Sequence, residues 1–437
     1  MFSIRFIWIG AAALLWVGSP SLSSAQSTPE SGQPFDLGIS LILDGIHFSA
    51  LRKGNEEPAG FGHAHDHGHG HGHGHGHGHD HGFNEGFNLG HSELAFEARL
   101  GDVLDGVVLI GFDSNHIELE EAYVMTRSLP AGWQLTGGKF LSEIGYINNR
   151  HSHDWNFVDR PLVNEFLFGD HGLQDIGLRA TYIPPTAWYT RFGLELLQGS
   201  GEGIDRFDSG VPVGRRDGPR IVTAFVKTGP DLGTDHAIQV GASAGYVAQY
   251  ARLDDHGSHA HALEGDLWFG GVDATYKYDS GRLYGHGDWR ITGEYFLAYR
   301  SVDEFIQQGH GDHPTWRRRD NHSERQDGVY LEAVYGFMPR WQLGLRAEAL
   351  GLTNRVTDFH PTAVVSRDAS YRYSAQVTFR PIEPVFLRGQ LSYSDFATAE
   401  HNHDHGHSHD HGGDTGSGLA LFFQVNIALG AHGAHRF

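Results

Sequence analysis

The sequence contains no cysteine. That excludes a disulfide framework and thiolate metal ligands, so any metal site must use imidazole and carboxylate. Basic residues are scarce beside acidic ones, 32 against 53, for a formal net charge of -21. Such a balance disfavours nucleic acid as a partner and favours attraction of cations. After the N-terminal 25 residues no apolar run reaches about 18 residues, so no transmembrane helix is expected. There is no nucleophile elbow, no HExxH and no phosphate loop, and the chain reads as a non-enzyme. What it holds in quantity is glycine (60 of 437 residues), aromatic side chains (12%) and histidine (33). That is not the composition of an ordinary helical protein.

The chain opens MFSIRFIWIGAAALLWVGSPSLSSAQS. Arg5 makes a short positive region, Phe6 to Val17 an apolar run too short to span comfortably, and Ser23 and Ala25 fit the small-residue cleavage rule. Residues 1–25 read as a secretory signal peptide cut before Gln26, leaving 26–437 as the mature chain.

The informative pattern is alternation. In VFLRGQLSYS (385–394), Val385, Leu387, Gly389, Leu391 and Tyr393 share one face, opposed by Phe386, Arg388, Gln390, Ser392 and Ser394. YRYSAQVTFR (371–380) and the segment 419–429 repeat this period of two, which means strand. Strands of about ten residues with one apolar and one polar face suit a membrane barrel. Sixteen are expected: 36–50, 88–100, 106–113, 116–128, 133–145, 174–183, 188–198, 220–229, 236–252, 265–278, 288–303, 328–338, 341–353, 370–380, 385–397 and 418–430. Short turns alternate with long connections at 52–87, 146–173, 199–219, 254–263, 304–327, 354–369 and 399–417. Short on one side and long on the other is the asymmetry of outer-membrane barrels. The expected fold is therefore all-β, a transmembrane antiparallel β-barrel of about 16 strands. Trp133, Trp188, Trp289 and Trp341 each follow a short turn and read as an interfacial girdle. The terminal Phe437 reads as a signal for the barrel-assembly machinery.

Sorted by this topology, 26 of the 33 histidines fall on the long-loop side, read as extracellular. The first loop carries His63, His65, Asp66, His67, His69, His71, His73, His75, His77, His79, Asp80 and His81. The last carries His401, His403, Asp404, His405, His407, His409, Asp410 and His411. If the first and last strands pair, these two tracts are neighbours at the barrel seam. Neutral imidazole ligates Zn2+, Ni2+, Cu2+ and Co2+, and without thiolates zinc or nickel suits the N/O donor set better than Cu(I). Many interchangeable pairs spaced by glycine imply high capacity and modest affinity. Binding should weaken as pH falls through about 6.5, because protonated imidazole cannot ligate. Smaller candidate groups are His256, His259 and His261, and His310, His313 and His322. The segment 146–173 mixes aromatics with His151, His153, Asp154 and His171 and reads as a loop folded into the lumen, offering a second, more ordered site. Lone His47, His91 and His116 read as strand-end or lumen residues.

The stretch EEAYVMTRSLPAGWQLTGGKFLSEIGYINNRHSHDWNFVDRPL, flanked by GFNLGHSELAFEA and DIGLRATYIPPT, resembles a group of proteobacterial outer-membrane proteins. They are known as zinc-regulated outer-membrane receptors and are distantly similar to the phosphate-selective porin O/P group. The shared motif runs Gly-Lys-Phe, then Gly-Tyr-Ile-Asn, then His-x-His-x-Trp. The resemblance implies a porin-like barrel produced when zinc is scarce. It departs from a TonB-dependent receptor: the first strand is expected about ten residues after the cleavage site, which leaves no plug domain, and energised transport is not expected. Porin-like barrels are often trimers, so a homotrimer in outer-membrane lipid is the assembly to test. The functional expectation is a channel that captures divalent metal, zinc foremost, on its His-rich loops and passes it to the periplasm. The competing expectations are a general or anion-selective porin, favoured by lumen-facing Arg346, Arg372, Arg380 and Arg388, and a surface metal buffer anchored by a barrel.

Overall fold

The structure is a computed structural model that describes residues 35–55, 57–61, 83–114, 116–199, 204, 218–255, 260–308, 315–359, 362–398 and 416–430. Both long histidine tracts lie outside the described residues, as do His256, His259, His310, His313, His360 and Phe437. Strands in chain order are β1 (Phe35–Arg52), β2 (Gly86–Leu89), β3 (Ser92–Leu100), β4 (Leu104–Phe112), β5 (Ile117–Thr126) and β6 (Trp133–Leu141). After helix α1 (Leu162–Phe168) come β7 (Gln174–Tyr182), β8 (Tyr189–Leu197), β9 (Ile221–Gly229), β10 (His236–Asp255), β11 (Ala260–Tyr278) and β12 (Trp289–Gln308). The chain finishes with β13 (Thr315–Met338), β14 (Trp341–Phe359), β15 (Thr362–Ser366), β16 (Ser370–Ile382), β17 (Val385–Asp395) and β18 (Ser417–Gly430).

β2 and β3 are two halves of one wall strand, both paired with β1, and β15 is a short return hairpin on the upper end of β14. Counted so, sixteen antiparallel strands form a closed barrel. Closure is made by β1 with β18, in register from Ser40↔Gly430 to Arg52↔Leu419. Inside the seam the Gln424 amide donates to both oxygens of Asp44, at 2.9 and 3.1 Å. Every expected strand is present. Among the described residues no helix is long and apolar enough to cross a membrane; the strands do the crossing.

Alternation works as the sequence suggests. Leu387 and Leu391 are exposed on the outer surface, while Arg388, Gln390 and Ser392 are buried inside. The outer face carries a belt of apolar side chains, including Leu178, Leu194, Trp268, Leu331, Leu345 and Phe423. A water-soluble surface of this kind would be an association hazard, whereas lipid satisfies it. At the short-turn end Trp133 stacks on Tyr182, Trp289 on Tyr335 and Trp341 on Phe379, with centroids 4.8, 4.4 and 4.5 Å apart. These pairs form the aromatic girdle.

One expectation needs correction. The connections 254–263, 304–327 and 354–369 are largely strand, because β10 to β14 run for 19–24 residues against nine or ten in β3 to β9. A tilted 20-residue strand rises roughly 50 Å, well past a hydrocarbon core of about 30 Å. The barrel thus has one high wall and one low wall. Above the lipid nothing demands an apolar outer face, so the hydrophobic period vanishes while ladder pairing continues.

The segment 146–173 packs against buried side chains of the inner wall. Its two ends are tied by Asn148, whose amide donates to Ser142 O (2.8 Å) and Leu173 O (3.1 Å) and accepts from Leu173 N (2.8 Å). Gly145 sits at φ 58°, and a Cβ there would overlap the Glu294 carboxylate, which accepts from Ile147 N at 2.8 Å. Further along, Asp159 is gripped by Arg346 (2.7 Å) and Arg372 (2.9 Å), and both arginines also hold Glu348, at 3.0 and 2.6 Å. α1 then buries Val163, Leu167 and Phe168 in an apolar cluster on the inner wall. Phe168 meets Phe269 and Phe296 edge-on at 5.3 and 4.9 Å. Each such ring contributes about 2–3 kcal/mol of burial. Arginines that might select anions are thus largely spent on docking this loop.

Arg372→Ala strands Asp159 and Glu348 without their shared cation, and should cost about 3–5 kcal/mol of loop docking. The expected outcome is a lower thermal midpoint and faster hydrogen exchange confined to 146–173. Glu165, on α1, supplies a pH test. Burial pushes its carboxyl up to about 8; Arg372 at 3.9 Å pulls it down, and Asp170, Asp159 and Glu348 add to the rise. A folded value above the unfolded one means its contribution is full below the ordinary carboxylate range and is lost as pH rises through about 8. Loop protection, corrected for intrinsic exchange, should therefore fall between pH 7 and 9 and become flat in Glu165→Gln.

Candidate metal centre in the lumen

Two irregularities in the low wall assemble the site. Between β1 and the β2/β3 strand, Gly45 faces Leu89 and Ile42 faces Glu93, so three residues (Gly90, His91, Ser92) oppose two. Between β4 and β5, Leu109 faces Glu121 and Ile110 faces Leu119, leaving Glu120 as the extra residue. Both are bulges, which re-aim side chains. The first turns His91 and Glu93 toward the lumen; the second sends consecutive residues Glu120 and Glu121 inward, 4% and 8% exposed. Gly111 makes room: a Cβ there would overlap the Glu120 carboxylate.

The inner loop supplies the other half. Directly after Asn148 it lays His151 and His153 over these carboxylates, with their rings parallel and 5.9 Å apart. His91 Nε2 lies 2.8 Å from Glu120 Oε1 and 3.6 Å from Glu93 Oε1. His151 Nδ1 lies 3.6 Å from Glu93 Oε1 and 3.7 Å from Glu120 Oε2, and its Nε2 lies 3.3 Å from Glu121 Oε2. His153 Nδ1 is 3.2 Å from Glu93 Oε1, and Asp154 is 3.7 Å from its other nitrogen. Ligand atoms of His91, Glu93 and Glu120 all fall within 4.8 Å of one another.

These separations fit a metal ion. Two ligand atoms on a tetrahedral zinc, each about 2.0–2.1 Å from the ion, stand roughly 3.3 Å apart. Three imidazoles and three glutamates make an N/O donor set with negative surplus, and Glu121 is further oriented by Leu141 N at 2.9 Å. Second partners of this kind fix ligand orientation. The field is visible on His151: burial lowers its pKa, but Glu93, then Glu121 and Glu120, outweigh that and raise it to about 10. A metal ion ligated by His151 must displace that proton, and the same carboxylates offset the cost by holding the ion.

Of the residues singled out from sequence, His151, His153 and Asp154 are brought together here. His171 is not: it is exposed beyond the far end of α1, because the turn at Gly169–Gly172 carries the chain back to the wall. His261 and His322 lie on β11 and β13 of the high wall. His47 packs on the outer face against Phe87 at 4.9 Å, and His116 is exposed at the β4–β5 turn. His91, read from sequence as a strand or lumen residue, proves central, and Glu93, Glu120 and Glu121 were not anticipated. A signal existed. Phe87 and Leu89 point outward at odd positions, but Leu100 does so at an even one; Ile117 and Leu119 are outward and odd, Val124 outward and even. Each change of phase marks a bulge.

The tracts themselves are outside the described residues, but their roots are not. Asn55 N donates to Gly416 O at 3.5 Å, Asn55 Nδ2 to Phe396 O at 2.9 Å, and Ala59 N to Ala397 O at 3.0 Å. Phe83, at the other end of the first tract, packs on Phe48 and Phe422 of the seam.

No family model matches the chain. An uncharacterized protein of Aquifex aeolicus is 29% identical over 428 residues, covering 95% of this chain and 83% of that protein. The outer-membrane channel DcaP of Acinetobacter baumannii superposes with a TM-score of 0.53 at 10% identity, over 90% of this chain and 97% of DcaP. OmpT, an outer-membrane protein of Vibrio cholerae in its trimer form, gives 0.50 at 10% identity, over 91% of this chain and 100% of OmpT. The chain therefore has the fold of porin-like outer-membrane β-barrels.

Gly111→Val fills the space of the Glu120 carboxylate without touching a putting-together contact of the seam. The expected result is a folded barrel in which zinc affinity, measured with the tract histidines replaced by serine, falls about 10–100-fold.

Proposed function

We propose that this protein is an outer-membrane channel that takes up a divalent transition-metal ion, zinc foremost. The His-rich tracts gather the ion at the extracellular mouth, the centre around His91, Glu93, Glu120, His151 and His153 receives it, and the periplasm takes delivery. The observation that carries this reading is the convergence of three histidines and three glutamates in the lumen through two bulges and an inner loop. The rooting of both tracts at one seam supports it, as does the resemblance of the 145–155 motif, whose Gly145, Asn148, His151 and His153 all have structural work in forming this centre. A cavity of about 680 Å³ opens at the short-turn end, lined by Glu143, Arg191, Lys227 and Gln239 among others, and provides an exit vestibule. It does not touch the histidine centre, so the ion must pass the inner loop. Conduction needs binding weak enough to release, so the centre must hold the ion only transiently.

A second reading, an anion-selective porin, draws on one observation: Arg290 and Arg380 lie within electrostatic reach of each other, like charges that an anion would bridge.

The deciding experiment measures growth and cell zinc of a deletion strain in chelated medium, with nickel, copper and cobalt as controls. The strain is complemented by the intact protein, by a tract-serine variant, and by His91→Ala/His151→Ala. Zinc import should fail in the double variant and drop at limiting zinc in the tract variant. Unchanged import in both, with anion-selective conductance in bilayers, supports the second reading. Lost surface zinc with unchanged import makes the protein a buffer.

A further inference from the structure

The high wall carries a second group of metal-ligating side chains that the reading above does not use. At the bulge where Asp303 faces Asn321 and Phe305 faces Arg318, Glu304 turns inward and is fully buried. His261 Nδ1 lies 3.5 Å from its Oε1 and His322 Nε2 3.4 Å from its Oε2. Asp254, buried on the neighbouring strand, is directly opposite His261 in the register. His261 and His322, from β11 and β13, thus flank Glu304 of β12, each against a different carboxylate oxygen, and Asp254 of β10 stands beside His261 in the register. Glu304 stands fifteen residues above Trp289 on β12, roughly 40 Å along the barrel axis and past the lipid.

The site is built rather than superficial. Glu304 Oε1 is buried and accepts no hydrogen bond, an arrangement that costs free energy unless a cation answers it. Among the described residues the nearest fixed cation is Arg319, whose Nη1 stands 3.7 Å away on a half-exposed side chain. Arg252 and Arg300 answer a different carboxylate, Glu324, at 3.3 and 3.9 Å. The 3.4–3.5 Å spacing between imidazole nitrogen and carboxylate oxygen matches two ligands on one tetrahedral ion. Phe359 lies 5.9 Å from the His261 ring and shields it from water on one side.

We propose that Asp254, His261, Glu304 and His322 form a second binding site for a divalent transition-metal ion, with two nitrogen and two oxygen donors, on the upper high wall. It is separate from the lumenal centre and does not depend on transport. Arg319 acts as the counter-charge that an ion displaces.

The test uses full-length protein with serine at every tract histidine and alanine at His91, His151 and His153, titrated with Co2+ and read by its d–d absorption. One tetrahedral cobalt should still bind. Its affinity should fall by about 10–100-fold in Glu304→Gln and in His261→Ala/His322→Ala, and rise in Arg319→Gln. Heat-modifiable mobility reports that each variant is folded, and the double-histidine variant serves if Glu304→Gln is not. Absence of cobalt binding, or binding indifferent to both the Glu304 and the double-histidine variants, overturns the proposal. A loss of stability in Arg319→Gln with no rise in affinity shows that Glu304 serves only as an ion-pair partner and equally overturns it. Because the readout is binding, failure of metal import in cells would leave this result standing.

Discussion

Hydrocarbon offers no hydrogen bonds, and that single constraint organises the molecule. Each backbone N–H and C=O within lipid must find a partner in the protein, so the sheet has to close on itself. β1 and β18, at opposite ends of the chain, complete the ladder. Once closed, the wall has an outside that must be apolar and an inside that need not be. The inside is where charge can be stored, and this lumen stores a great deal of it.

The lumen is not an empty pipe. It holds an inner loop fastened by arginines to Asp159 and Glu348 and wedged by Phe168 into an apolar cluster. Such fastening is expensive to break at one point but has few points, and it holds two histidines over the carboxylates of the low wall. His151 and His153 sit within a few residues of the Asn148 clasp. Their positions are therefore set by this clasp rather than by the helix.

Much of this was legible from the residues alone. Sixteen strands follow from alternation because lipid and lumen impose opposite demands on successive side chains. The 315–327 half of β13, rich in Arg, Asp, Asn and Glu, was not legible, since water on both faces removes the contrast on which the reading depends. The lumenal centre was half legible. His151 and His153 stood out as a spaced pair, and the loop was expected to enter the barrel. Glu93, Glu120 and Glu121 were hidden because strand reading assumes an unbroken period, and bulges break it. His171 looked like a member of the group by composition, but one turn after α1 sends it away.

The hydrogen bond from Asn55 to Gly416, and that from its side chain to Phe396, join roots some 340 residues apart. Under the proposed metal capture, two histidine tracts rooted so close would each raise the effective concentration of the other's imidazoles, toward the millimolar range. An ion released by one tract would then be recaptured by its neighbour before it diffused away. Such avidity would belong to neither sequence taken singly; it would exist only once the last strand has met the first.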